Sequence, residues 1–143
     1  MDYQSFWNFD RYAIVGNSAK KPFPKITYGK LMGNGKEVFP VDETLSEIDG
    51  DSTLSSISAL PNDIEAIILE VPKEESLEFV KQAVEKGIKN IWLHINCDTP
   101  EAISFAKENG VNLWYGTCAV LYLTSGFSIH SFHGWINKKR GVY

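Results

Sequence analysis

Three times along the chain, a short apolar run is followed by a segment whose apolar residues recur at helical spacing. The runs lie at residues 12–15, 66–71 and 90–95, and the helical segments follow at 26–32, 77–87 and 99–110. Predominantly apolar runs of this length are typical of strands that are covered on both faces. Strands that alternate with helices in this way imply a parallel sheet with right-handed crossovers and helices on both faces. This alternation constrains the fold more than any other feature.

The predicted sheet has five strands. They are Tyr12–Val15, Glu37–Val41, Ala66–Val71, Asn90–Ile95 and Leu113–Tyr115. Pro40 has no N–H to donate, so we expect strand pairing to end there, and we interpret the polar segment 42–61 as a loop with one short helical turn. The fold class is therefore α/β, a Rossmann-like three-layer sandwich with a mainly parallel sheet. We expect a single domain over 1–143, with an N-terminal arm at 1–11 and an aromatic extension at 119–143.

The loop after the first strand is the predicted ligand site. The apolar run Tyr12–Val15 gives way to Gly16, small polar residues and several lysines, and Pro24 suits the first turn of the following helix. Backbone N–H groups in such a loop, together with a helix N-terminus, bind anions. The pattern is looser than the three-glycine dinucleotide fingerprint, because only Gly16 is present in the turn.

Composition and charge exclude several classes. The net charge of the 143 residues is −4 and the lysines are scattered, so the chain lacks the basic face that nucleic acid requires. No apolar run reaches the roughly 18 residues of a membrane span, and the N-terminus lacks the features of a secretory signal. We expect a cytoplasmic protein with no nucleic acid or membrane partner. The two cysteines, Cys97 and Cys118, are expected as free thiols.

The C-terminal extension is unusually aromatic for its length. It contains Phe127, Phe132, Trp135 and several aliphatic residues within a short stretch. One interpretation is that these side chains pack across the edge of the sheet. The alternative is a homodimer contact, because such a surface would otherwise form an exposed apolar patch.

Several segments in the predicted order resemble the small CoA-binding domain family, the stand-alone relatives of the nucleotide-binding domain of the succinyl-CoA synthetase α subunit. The matching segments span Tyr12 to about Cys118. They are Ala13–Lys20, Val38–Val41, Leu54–Pro61, Ile91–His94 and Cys118 after the fifth strand. Each motif is loose, and their order and spacing carry the resemblance.

The resemblance implies a site for CoA or an acyl-CoA. Its pyrophosphate would rest on the backbone N–H groups after Gly16, with Asn17 and Ser18 in the loop and Lys20 or Lys25 supplying positive charge. The adenine would lie between two pairs of residues at strand ends, and two further residues would line the pocket. These pairs are Pro40 with Val41 and Val71 with Pro72, and the two lining residues are His94 and Cys118.

The residues reveal no catalytic set and no metal site. CoA-ligase chemistry of the related synthetases needs a phosphorylated histidine from a second domain, so we expect a binding protein without catalysis of its own. Two alternatives stay open. Asp42 closes the second strand where an NAD(P)-dependent oxidoreductase places an acidic residue for the ribose. The aromatic extension could instead serve a protein-interaction scaffold.

Overall fold

The computed structural model describes residues 3–20, 25–48 and 50–116, and seven strands lie in these ranges. They are β1 (Arg11–Gly16), β2 (Glu37–Val41), β3 (Glu47–Ile48), β4 (Asp51–Ser52), β5 (Ala66–Glu70), β6 (Asn90–Leu93) and β7 (Asn112–Tyr115). Five of them form one sheet in the order β2-β1-β5-β6-β7, in which every neighbouring pair is parallel. The predicted Rossmann-like α/β fold is confirmed.

Three α-helices connect the strands. They are α1 (Lys25–Gly33), α2 (Ser76–Lys86) and α3 (Pro100–Glu108), and short 3-10 turns occupy Ser5–Asn8, Ile57–Ala59 and Lys73–Glu75. The start of α3 follows the sequence signal, because the Thr99 hydroxyl accepts a hydrogen bond from the Ala102 N–H and Pro100 follows directly. Gly87 ends α2 in a left-handed conformation with φ of 90°, which glycine adopts without strain.

The two faces of the sheet are covered in different ways. On one face, α2 and α3 bury small residues such as Ala83 and Ala106 against the apolar side chains of the central strands. On the other face, α1 covers only part of the sheet, and the N-terminal arm covers the rest with Phe6 and Trp7. The aromatic side chains of the arm therefore belong to the core.

The structure corrects two details of the sequence interpretation. Pairing of β2 with β1 continues through Pro40 and Val41. The Pro40 carbonyl points away from β1, to the outer side of this edge strand, where it accepts a hydrogen bond from the Leu54 N–H. The N–H that proline lacks would have pointed to that outer side, so its absence does not interrupt the ladder. The segment 42–61 also contains the antiparallel β3–β4 hairpin in addition to the expected helical turn.

Glu65 holds the start of β1 through its carboxylate. Its Oε1 atom accepts hydrogen bonds from the N–H groups of Asp10, at 2.8 Å, and Arg11, at 3.0 Å. These two bonds hold the pKa of Glu65 below its ordinary value. Because the folded-state pKa is the lower one, the stabilisation is complete above the unfolded-state pKa and is lost as the pH falls through the folded-state pKa.

We therefore expect Glu65→Gln to lower the free energy of unfolding at pH 7 by on the order of 1 kcal/mol, since solvent screens this exposed site. The difference from the wild type should shrink as the pH is lowered through the acid range, below the ordinary pKa of a glutamate carboxyl, because the wild-type carboxylate then takes up a proton. Urea unfolding across this range measures both effects. Glu85→Gln, at an exposed position of α2, is the control, and an equal loss in both variants at pH 7 would contradict the assignment.

Candidate functional site

The carboxyl ends of the parallel strands form the edge at which ligands bind in open α/β sheets. From β1 the chain moves outward to β2 and later returns to β5 on the other side of β1, so the strand order reverses between β1 and β5. Gly16, the last residue of β1, lies opposite Glu70, the last residue of β5. The predicted loop, residues 16–20, therefore begins at the topological switch point of the sheet.

The chain's own side chains already hold two of the loop N–H groups. Ser18 N–H donates to Asp42 Oδ2 at 2.9 Å, and Ala19 N–H donates to Thr44 Oγ1 at 3.1 Å. The Lys20 N–H bonds back to the Asn17 carbonyl at 3.0 Å and closes the turn. The sequence analysis expected these N–H groups to face an anion, and in this structure the Asp42 carboxylate accepts one of them.

Asp42 is the centre of this network. Its side chain is almost fully buried at 1% exposure, and its Oδ1 atom accepts from both the N–H and the hydroxyl of Thr44. Because the Thr44 hydroxyl proton points to Asp42, the contact of 2.9 Å between the Ser18 and Thr44 oxygens has Ser18 as its donor. A chain of hydrogen bonds thus runs from Ser18 through Thr44 to Asp42. The spacing of Asp42 and Thr44 is that of an Asx turn, a signal that the sequence analysis did not use.

Asn17 and Lys20 extend from the loop to the segment after β5. Asn17 Nδ2 donates to Glu75 Oε1 at 3.0 Å, and Lys20 Nζ donates to Glu75 Oε2 at 2.7 Å. The hydrogen bond from Lys20 and then that from Asn17 lower the pKa of the Glu75 carboxyl. The bond between Lys20 and Glu75 also raises the pKa of Lys20. Both groups are therefore charged at neutral pH. No sequence signal pointed to Glu75, since it is 55 residues away from Lys20.

A cleft of about 410 Å³ lies beside this network. Its walls include residues from the loop, from the segment after β2 and from the start of α2, among them Asn17, Ala19, Lys20, Glu43, Thr44 and Glu75. The Asn17 Oδ1 atom is buried and has no hydrogen-bond partner in the described part of the chain. An unsatisfied buried acceptor in a binding loop is consistent with a site that takes up a further polar group.

A second polar cluster lies at the same edge of the sheet. Glu70 Oε2 accepts a hydrogen bond from the buried Thr27 hydroxyl of α1 at 3.1 Å, and Glu70 Oε1 lies 3.8 Å from His94 Nε2. The side chains of Glu70 and His94 are both mostly buried. His94, which the sequence analysis expected to line the pocket, is the first residue after β6. It lies in a cluster with the Glu70 carboxylate and the Thr27 hydroxyl.

The other predicted site residues differ in exposure. Val41 and Val71 are buried in the core that α2 and α3 cover, and Pro40 is buried at the edge of the sheet. Pro72 is partly exposed, and Lys25 is exposed at the first residue of α1. Cys118 and the aromatic extension, with its predicted dimer contact, lie outside the described residues.

The described residues contain neither a metal-binding cluster nor a helix that could span a membrane. No group of three or more His, Cys, Asp or Glu side chains in ranges 3–20, 25–48 and 50–116 has an arrangement that could hold a metal ion. Among the helices of the same ranges, none has the length and apolar character needed to cross a membrane.

The sheet order and the crevice at its switch point define a Rossmann-like α/β protein. A sequence profile of the family described as CoA binding domain matches residues 10–124. The chain therefore belongs to the CoA-binding domain family, and this membership supports CoA as its general class of ligand. A search of curated proteins gave no significant match.

Several solved structures share this fold. A conserved hypothetical protein from Pyrococcus furiosus is 32% identical, with a TM-score of 0.71 over 79% of this chain and 98% of that chain. A hypothetical protein from Pyrococcus horikoshii is 27% identical, with a TM-score of 0.71 over 84% and 88% of the two chains. The dinucleotide-forming acetyl-coenzyme A synthetase 1 of Ca. Korarchaeum cryptofilum is 18% identical with a TM-score of 0.62, over 78% of this chain and 27% of that one, and shares the fold.

Proposed function

We propose that this protein binds CoA or an acyl-CoA without catalysing a reaction, and that the ligand's pyrophosphate lies at the loop formed by residues 16–20. The observation that carries the proposal is the position of this loop at the switch point of the sheet, beside a cleft, in a chain of the CoA-binding domain family. Ligands of open α/β sheets occupy this crevice.

The polar groups of the loop suit a pyrophosphate. Lys20 supplies an ammonium and Asn17 supplies an amide, and both side chains border the cleft. The Ser18 hydroxyl now donates to Thr44, but a hydroxyl can rotate to donate to a phosphate oxygen instead. Lys25, exposed at the start of α1, adds positive charge. Hydrogen bonds from charged donors to phosphate are stronger than neutral ones.

For the adenine, we propose the ends of β2 and β5. Val41, Val71 and Pro40 are buried and hold these strand ends in place, while the partly exposed Pro72 provides stiff apolar surface beside them. A flat base packs well against such a ring. We propose that His94 is polar lining of the same pocket.

NAD(P) is the second candidate, and Asp42 is the residue that would favour it. In a dinucleotide site, the acidic residue after the second strand accepts hydrogen bonds from the ribose. Here the Asp42 carboxylate is buried and already accepts from Ser18 and Thr44. Because the Asp42 oxygens already accept these hydrogen bonds, CoA is favoured over NAD(P). The ligand test below distinguishes the two.

The test is thermal unfolding of the full chain with CoA, acetyl-CoA, NAD, NADP or ADP. A ligand that binds only the folded state at one hundred times its Kd adds about 2.7 kcal/mol of stability, which corresponds to a shift in Tm of roughly 8 °C. We expect this shift with CoA species. Ser18→Asp should reduce the affinity at least about tenfold, because it places a second carboxylate beside Asp42 and the phosphate.

Ser58→Asp is the matched control. Ser58 is exposed, and its carbonyl contacts Lys86 at the far end of α2. This variant should shift with CoA as the wild type does. A shift with NAD and none with CoA would contradict the proposal and favour an NAD(P)-dependent enzyme. No shift with any nucleotide would favour the scaffold.

A further inference from the structure

Glu75 is the acceptor that holds both cleft-facing polar side chains of the loop. Each of its two carboxylate oxygens accepts one hydrogen bond, from Asn17 on Oε1 and from Lys20 on Oε2. An amide and an ammonium that bind one small anion in this way form a set of donors that a phosphate group also takes. The carboxylate of Glu75 therefore occupies donors that a bound pyrophosphate needs.

The charges around the cleft make this competition direct. Among the described residues that line it, Lys20 is the one cation, whereas Glu43, Glu75 and Glu78 carry negative charge. The Glu78 carboxylate accepts a hydrogen bond from the Gln82 amide on α2, at 3.1 Å. Of these three glutamates, only Glu75 contacts Lys20 and Asn17, so its carboxylate and a ligand phosphate compete for the same ammonium.

The contact can also open at small cost. The Lys20 side chain is 62% exposed and that of Glu75 is 26% exposed, so water can solvate both charges once they separate. Surface ion pairs of this kind contribute little net stability. Glu75 ends the 3-10 turn before α2, and a carboxylate at the N-terminal end of a helix remains in a favourable field when it releases a partner.

We propose that the pyrophosphate of the ligand displaces the Glu75 carboxylate from Lys20 and Asn17, so that Glu75 sets the affinity of the site. This inference rests on the proposed CoA function and adds Glu75 to the residues that control ligand binding. The contact also ties the loop after β1 to the segment after β5 across the switch point. Ligand binding therefore releases the start of α2 from the loop.

The test is calorimetric titration of the full chain with CoA and, separately, with inorganic pyrophosphate. We expect Glu75→Gln to bind both about three to ten times more tightly than the wild type. Glu75→Asp should also bind more tightly, because it keeps the charge but is one methylene too short to reach both donors. The matched control, Glu78→Gln, removes the same charge from the same cleft and should change the affinity less than twofold.

Two results would overturn the inference while leaving the proposed function intact. Equal gains in Glu75→Gln and Glu78→Gln would show that only the total charge of the cleft matters. Weaker CoA binding by Glu75→Gln would make Glu75 a ligand-binding group. If neither the wild type nor Glu75→Gln binds CoA, the proposed function itself fails, and the inference fails with it. An NMR spectrum of the Asn17 side-chain amide, which should shift in Glu75→Gln and stay unchanged in Glu78→Gln, measures the contact without any ligand.

Discussion

Phe6→Ala is expected to lower the free energy of unfolding by about 3–5 kcal/mol, a large part of the total stability of a protein of this size. The Phe6 side chain is fully buried, with 0% exposure. Its ring contacts five others at centroid distances of 4.8–6.3 Å, and these belong to Trp7, Phe9, Tyr12, Trp92 and Trp114. Truncation leaves a cavity in the middle of this cluster, because its neighbours come from three different parts of the chain and cannot all close in.

Urea unfolding with near-ultraviolet circular dichroism measures this effect, since the cluster contains three tryptophans. Phe9→Ala is the matched control, because Phe9 is only partly buried and should cost about 1–2 kcal/mol. Equally small losses in the two variants would mean that the N-terminal arm does not unfold together with the sheet. The result thus decides whether the arm is part of the cooperative core.

Asp42→Ala is expected to lower the free energy of unfolding by about 2–4 kcal/mol. The substitution removes a buried carboxylate and leaves the N–H groups of Ser18 and Thr44 without their acceptor. Both hydrogen bonds are partly buried, so the two donors keep part of their desolvation cost once the acceptor is gone. Amide hydrogen exchange at Ser18 and Thr44 should become faster in the variant, because the loop is no longer held against the end of β2.

Two further variants test the cause of this effect. Asp42→Asn keeps one oxygen that can accept from Thr44 but replaces the other with an NH₂ group, which cannot accept from the Ser18 N–H. The amide hydrogen exchange of Ser18 should therefore become faster by more than that of Thr44. Asp63→Ala removes an aspartate whose side chain is 67% exposed and pairs with Arg11, and it should cost less than about 1 kcal/mol. A loss in Asp63→Ala as large as that in Asp42→Ala would contradict the special role of Asp42.

The fold was predictable because its signals are local. Each strand of the main sheet is a short apolar run, and the signals of Thr99 with Pro100 and of Gly87 mark where helices begin or end. The β3–β4 hairpin escaped prediction because strands of two residues have no measurable periodicity. The prediction that strand pairing ends at Pro40 was wrong. The effect of a proline depends on which side of the strand lacks the N–H, and that side is harmless here because β2 is an edge strand.

The sequence by itself determined the class of the fold and the location of the candidate site, since hydrophobic periodicity and the Gly16 loop depend on neighbouring residues. The tertiary structure decided which side chains of the site are hydrogen-bonded to each other. Asp42 reaches Ser18, Glu75 reaches Lys20 and Glu70 reaches Thr27 across 24, 55 and 43 residues of chain. Such polar contacts follow from the convergence of strand ends at one edge of the sheet, and no local pattern in the sequence encodes which carboxylate meets which donor.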